Sequence, residues 1–246
     1  MAKERNIWSG LFRSSRSSSG QEPLPAAQAQ DLFRGSWLSR LRGHHRGYRR
    51  FILHCHARSG SNMLQSAFLS HPQVELLGEV LHRDSVVMYP EDLLVPAGAV
   101  ISHPGAALEH RKSLEAARAE NPLEFVQEKI FSKCPRSVKA LGFKVFPEHL
   151  RPQEMQPIRD WLKAQQDVAV IHLYRDNLLA YMVSFTAAKA SGKWLITSSD
   201  ERAARKLTID PKEAERLFEQ RVRQRDRLKE DFAGHPLLEV TYEALC

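Results

Sequence analysis

The chain has 246 residues, 42% hydrophobic and 26% charged, which is the composition of a globular protein able to bury one sizeable core. Residues 1–50 carry 10 Lys and Arg against 3 Asp and Glu, which accounts for the whole +7 formal charge and leaves the remainder neutral. The pI of 9.4 therefore describes a basic arm rather than a nucleic-acid-binding fold, and no run of about 18 apolar residues offers a membrane span.

Residues 1–49 read as a basic, flexible arm rich in Ser, Arg, Gly and Gln. Within it Leu32, Phe33, Trp37, Leu38 and Leu41 recur at the spacing of a short amphipathic helix, which would dock on the body or touch an anionic membrane surface peripherally. From residue 50 onward strands are predicted at 51–56, 74–77, 140–146, 168–174 and 237–242, mostly as unbroken apolar runs, the pattern of strands covered on both faces. Helices are predicted between them at 63–69, 123–132, 152–163, 178–190 and 211–231. Alternation of this kind predicts an open parallel β-sheet with helices on both faces, an α/β fold. Residues 83–121, broken by Pro90, Pro96 and Pro104, and residues 192–210 are expected to form long connections that act as lids or substrate loops.

Cys55, Cys134 and Cys246 are far apart and lack C-x-x-C spacing, so neither a zinc knuckle nor a redox pair is expected, and a reducing, cytoplasmic setting follows. His54 and His56 share one face of the first predicted strand with Cys55 on the other, a packing arrangement before a metal site.

Two stretches carry chemistry. In "HARSGSN", Gly60 permits a tight turn after the first strand, and Ser59, Ser61 and Asn62 add donors to the unpaired N–H groups of the following helix. Arg58 supplies the fixed charge that a multiply charged anion needs. The loop lacks the G-x-x-x-x-G-K-[ST] pattern, which disfavours an ATP- or GTP-hydrolysing site. In "VIHLYRDNLLAYMVSF" a buried strand runs into Arg175, Asp176 or Asn177 caps a helix, and Ser184 follows two turns on. Taken alone, each stretch also reads as an ordinary strand-to-helix turn.

In order, these residues resemble sulfotransferases that use 3′-phosphoadenosine-5′-phosphosulfate, and most of all the bacterial carbohydrate type acting on nodulation factors, lipopolysaccharide or trehalose. The resemblance spans residues 50–246. It rests on Arg58 to Asn62 as the 5′-phosphosulfate loop, Ser70 to Pro72 as "SHP", Gly78-Glu79 as "GE", and Arg175 with Ser184 as the 3′-phosphate pair. Trp194 and the late Tyr242, Glu243 and Leu245 complete it.

The resemblance implies transfer of a sulfuryl group to a hydroxyl of a carbohydrate or glycolipid, with no metal and no nucleic-acid partner. It gives Arg58, Ser59, Gly60, Ser61 and Asn62 the 5′ end of the nucleotide and Arg175 and Ser184 the 3′-phosphate. Glu79 becomes the general base, with His82 as the runner-up. Arg58 stands where many relatives have Lys, and acts as a charge rather than a proton donor. Two departures stand out: Asp176 occupies the place of an Arg in some relatives, and the chain stops at "VTYEALC" where relatives continue, so a C-terminal truncation is expected. The alternatives are a non-catalytic nucleotide-binding relative, and an RNA- or membrane-surface-binding protein that uses the basic arm.

Overall fold

The apolar runs become the centre of a parallel sheet. The computed structural model describes residues 44–87, 104–192, 194 and 207–246. After a two-residue strand β1 (His44–His45) come β2 (Arg49–Cys55), α1 (Ser61–Leu69) and β3 (Val74–Leu77). They are followed by α2 (Pro104–Glu120), α3 (Pro122–Glu124) running into a π-helical turn (Phe125–Ile130), β4 (Cys134–Pro135) and β5 (Ala140–Val145). Two 3-10 turns (Pro147–Leu150, Gln153–Met155) lead to α4 (Gln156–Ala164), β6 (Ala169–Tyr174), α5 (Leu178–Ser191), α6 (Pro211–Asp231), β7 (Leu237–Thr241) and α7 (Tyr242–Leu245).

Every predicted strand is found, and the five longer strands form one all-parallel sheet in the order β3-β5-β2-β6-β7, with β1 and β4 pairing antiparallel outside it. The parallel register sorts the side chains by face, because paired residues of neighbouring strands point the same way. Ile52, Phe143 and Val170 are in register on one face, where they join Phe125, Ile130, Ile158 and Leu162 in a core with hardly any solvent exposure. Leu53, Lys144 and Ile171 are in register on the other, the face on which Phe51 meets Phe68 of α1. Each large apolar side chain fully buried this way contributes about 1.5–3 kcal/mol, so the sheet is fixed by its two apolar faces.

Of the arm expected over 1–49, residues up to 43 lie outside the described residues, the candidate amphipathic helix with them; residues 44–49 are strand and turn within the body. Most of the 192–210 connection also lies outside. The other long connection contains a helix that the prolines hid: α2 begins at Pro104, which suits a first helical position, and its Ala, Glu, Lys and Arg content favours helix. The helix predicted at 123–132 is found as α3 and its π-helical turn, capped by the Asn121 side chain accepting from the Glu124 N–H at 3.1 Å.

Candidate functional site

Connections leave β2 toward β3 on one side of the sheet and leave β6 toward β7 on the other, so the carboxyl ends of β2 and β6 flank a crevice where the winding reverses. Open α/β sheets hold ligands at that crevice. A cleft of ≈1320 Å³ opens there, and Arg58, Gly60, Ser61, Asn62, Glu79, His82, Arg175 and Ser184 all line it. Residues separated by more than a hundred positions in sequence thus meet in one place.

The turn after β2 is strained in order to face this cleft. Arg58 has φ 67° and Gly60 has φ 89°, both left-handed. That conformation costs a non-glycine residue about 1–2 kcal/mol, so Arg58 has to be held. Its Nε donates to Ser184 Oγ at 3.1 Å and its Nη1 donates to the Trp194 carbonyl. Gly60 is required on two counts, since a Cβ there would also sit 2.5 Å from Cδ2 of Tyr242. With glycine in the cap position, α1 has no side-chain cap, and its first N–H groups are left for another acceptor.

Arg175 lies at the end of β6 with its guanidinium carbon 4.0 Å from the centre of the Tyr242 ring. Burial, and then the charge of neighbouring Arg175, lower the Arg58 pKa below its ordinary value, the signature of two cations crowded at one sheet edge. Glu243 provides partial relief at 4.0 Å from Arg175 Nε, while its two oxygens accept the N–H groups of Asp176 and Asn177 at 3.1 and 3.2 Å. Burial alone would raise the Glu243 pKa; the N–H groups of Asp176, Glu243 and Asn177, and the Arg175 charge, outweigh it and hold the carboxyl below its usual range. The terminal Tyr-Glu pair therefore fastens both cationic turns. Asp176, which stands where some relatives of the resembled family have an Arg, is turned toward Arg225, 3.8 Å away, and lines a different cavity.

Glu79 also lines the cleft, in the turn that follows β3. Its two oxygens are 3.6 Å from Lys144 Nζ and 3.8 Å from His149 Nε2. Lys144, almost fully buried on β5, donates to Asn62 Oδ1 at 2.7 Å, so one ammonium ties the carboxylate to the first turn of α1. His149 is neutral, its pKa lowered to about 4 by burial and then by the charges of His82, Lys144 and Arg118. Its Nδ1 accepts the Phe146 N–H at 3.3 Å, which leaves the ring proton on Nε2, directed at Glu79. His82 packs edge-on against His149 at 5.7 Å between ring centres.

Sequence reasoning missed Lys144 and His149, and named Tyr242 only within the resemblance, with no role. A signal existed for the first, since a lysine inside the apolar run "ALGFKVF" is buried only if it has a partner.

Arg118 of α2 is what holds the Glu79 turn. The buried guanidinium donates to the carbonyls of Val80, His82, Ser85 and Arg83, at 3.1, 2.5, 3.2 and 3.3 Å. Arg118→Met keeps the stem but strips four carbonyls, one buried and three partly buried, of their donor, and is expected to lower unfolding free energy by about 2–4 kcal/mol in urea titration. A loss below about 0.5 kcal/mol would mean that solvent replaces the guanidinium and that α2 does not position the turn.

Other expected residues fall elsewhere. Ser59 is buried, and both its N–H (3.2 Å) and its hydroxyl (2.7 Å) go to the His56 carbonyl, so it shapes the loop rather than donating into the cleft. His54 and His56 are buried as well, with His54 5.8 Å from the ring of His172. Burial pushes the Cys55 thiol up to about 12, which removes it as a nucleophile. Among the described residues no group of three His, Cys, Asp or Glu side chains is placed to hold a metal ion, and no helix is long and apolar enough to cross a membrane.

No family model, curated protein or solved structure matches the chain.

Proposed function

We propose that the protein transfers a sulfuryl group from 3′-phosphoadenosine-5′-phosphosulfate to a hydroxyl of a carbohydrate or glycolipid by in-line displacement. In this reading the sheet is a P-loop-like sulfotransferase sheet. The observation that carries it is the meeting, in the lining of a single cleft, of Arg58, Arg175 and the uncapped start of α1 with Glu79. An anion of two or more charges suits the first group, and a hydroxyl losing its proton suits the second. At ≈1320 Å³ the cleft exceeds the roughly 300–1,000 Å³ of a single-ligand pocket, as a site for two substrates at once should.

The acceptor oxygen forms a bond to sulfur as the bond between sulfur and the 5′-phosphate oxygen breaks, and Glu79 takes the acceptor proton. Negative charge grows on the leaving phosphate, where Arg58 and the first N–H groups of α1 stabilise it. Arg175, with Ser184, holds the 3′-phosphate. Arg58 already bonds Ser184 at 3.1 Å, so the two phosphate subsites share a contact. Trp194, half exposed and edge-on to Phe185 at 5.7 Å, also lines the cleft, and in this reading its ring is available to stack on an acceptor sugar.

Calorimetric titration with adenosine 3′,5′-bisphosphate, with adenosine 5′-phosphate as control, tests this assignment. Selective binding of the bisphosphate is expected. Arg175→Ala should weaken the bisphosphate by about tenfold or more, the value of a charged hydrogen bond, and the monophosphate much less. Equal losses would reject the 3′-phosphate role, and a folded protein that binds neither nucleotide would reject the sulfotransferase reading.

A further inference from the structure

Beside the cleft, on the α6 side of β6, lies a smaller cavity of ≈200 Å³ bordered by His56, His172, Asp176, Arg221 and Arg225, with Arg175 lining both it and the cleft. We propose that this cavity is a second oxyanion site, which takes a phosphate- or sulfate-like dianion on Arg221 and Arg225 and shares Arg175 with the cleft.

The first support is the placement of the arginines. On a helix as charged as α6 an Arg is ordinarily on the solvated face. Arg221 and Arg225 are not: continuing their stripe by one and two turns leads to Leu228 and to Phe232 just past the helix, both in the core. The stripe that faces the sheet changes from apolar to basic where it passes over the cavity. Three guanidiniums are also fixed in place by tyrosine rings, Arg175 at 4.0 Å from the Tyr242 centroid, Arg221 at 5.1 Å from Tyr181 and Arg225 at 5.4 Å from Tyr174. Arg221 is held further by His56 Nδ1 at 2.9 Å, the Tyr181 hydroxyl at 2.8 Å and Gln224 Oε1 at 2.7 Å.

Unmet hydrogen bonding is the second support. The Nε atoms of Arg175, Arg221 and Arg225 and Nδ1 of His172 are buried without a hydrogen-bond partner. Buried polar atoms are nearly always paired, so the three guanidinium Nε–H groups, which can only donate, ask for an acceptor, while the His172 nitrogen faces Glu239. The carboxylates nearby do not meet the need. Asp176 is 3.8 Å from Arg225, Glu243 is 4.0 Å from Arg175, and Glu239, 3.8 Å from His172, is engaged by Lys229 at 3.0 Å. Three fixed cations around one lining carboxylate, in a volume below the roughly 300 Å³ of an organic-ligand pocket, match a small oxyanion.

The test is calorimetric titration of the full chain with inorganic sulfate, and separately with phosphate, at constant ionic strength. Arg225→Gln removes the guanidinium least tied into the fold, and Arg58→Gln removes the cation of the cleft. Sulfate binding is expected to persist in Arg58→Gln and to weaken by about tenfold or more in Arg225→Gln. Arg225→Lys, which keeps the charge and the stem, should fall between the two and guards against a folding defect in the first variant. Loss of sulfate binding in Arg58→Gln with none in Arg225→Gln would place the anion in the cleft and overturn the proposal, as would no sulfate binding by the unaltered chain.

The bisphosphate then identifies the source of the dianion. An affinity that falls in Arg225→Gln in parallel with sulfate makes the nucleotide's own phosphate the occupant, and an unchanged affinity makes it a free oxyanion. The sulfate result stands in either case, and does not depend on the sulfotransferase reading.

Discussion

Glu79→Gln is expected to lower sulfuryl transfer by ~10²–10⁴-fold, the range of a lost general base, while bisphosphate affinity stays nearly constant. The amide is the same size as the carboxylate and fills the same place between Lys144 and His149, 3.6 and 3.8 Å away. What it cannot do is accept a proton from the acceptor hydroxyl. Lys144 keeps its 2.7 Å bond to Asn62 in the variant, so the first turn of α1, and with it the nucleotide subsite, stays in position. The buried ammonium does lose the carboxylate 3.6 Å from it, which lowers stability, so turnover has to be compared well below the melting temperature. Near-normal turnover in Glu79→Gln would remove Glu79 from the role and pass it to His82, which would first have to release the Asp84 N–H that its Nδ1 accepts at 3.3 Å, because that bond keeps the ring proton on Nε2. A mere rise in acceptor KM with kcat unchanged would make Glu79 a binding group.

Acid is expected to unfold the protein well before its carboxylates protonate. Burial, aided by the neighbouring His172, lowers His54 to about 3. Burial lowers His149 and His172 to about 4 each, and carries His56 well below the usual value, with Arg221 the next cause. The direction of the effect follows from proton uptake. Below pH 6.5 the unfolded chain protonates these imidazoles and the folded chain does not, so falling pH favours unfolding, from about 6.5 down to about 4. At 1.36 kcal/mol per pKa unit, His54, His149 and His172 each withdraw on the order of 3 kcal/mol over that window. His54 and His172 repel one another's charged forms, so their contributions do not add. Even two of them rival the 5–15 kcal/mol total stability of a typical domain. Urea denaturation at pH 7.5, 6 and 5 would show a steep fall, and His54→Gln would flatten it. Equal midpoints at pH 7.5 and 5 would contradict the buried, neutral state of the histidine group.

The strands were legible because burial on both faces leaves an unmistakable trace. "FILHC", "VELL" and "AVIHLY" are apolar nearly throughout, and each lies within a strand. α6 was found at its full extent, Pro211–Asp231, because Asp210 and Pro211 mark its start, and the Asp210 side chain does accept the Lys212 N–H at 2.9 Å. Helix α2 was obscured because prolines upstream suggested a loop, although a proline at a first helical position starts a helix as readily as it breaks one. Its Arg118, buried against four carbonyls, leaves no trace in sequence, where it is one more charge in "EAARAE".

The sequence by itself determined the α/β alternation, the parallel strands and a polar, glycine-containing turn at the end of the first long strand. These are local properties: apolar runs, cap residues and the positive φ that Gly60 accepts depend on neighbours within a few positions. Only the tertiary structure decided which chemical groups meet. The strand order β3-β5-β2-β6-β7 carries Arg58 to Arg175 and Ser184, and the parallel register of β5 on β2 sets Lys144 beside Asn62 and Glu79. It also separated residues adjacent in sequence, turning Asp176 toward Arg225 and leaving Arg175 at the cleft. Strand pairing fixes such meetings over distances of a hundred residues or more, and the period of a single segment cannot encode which strand will lie beside it.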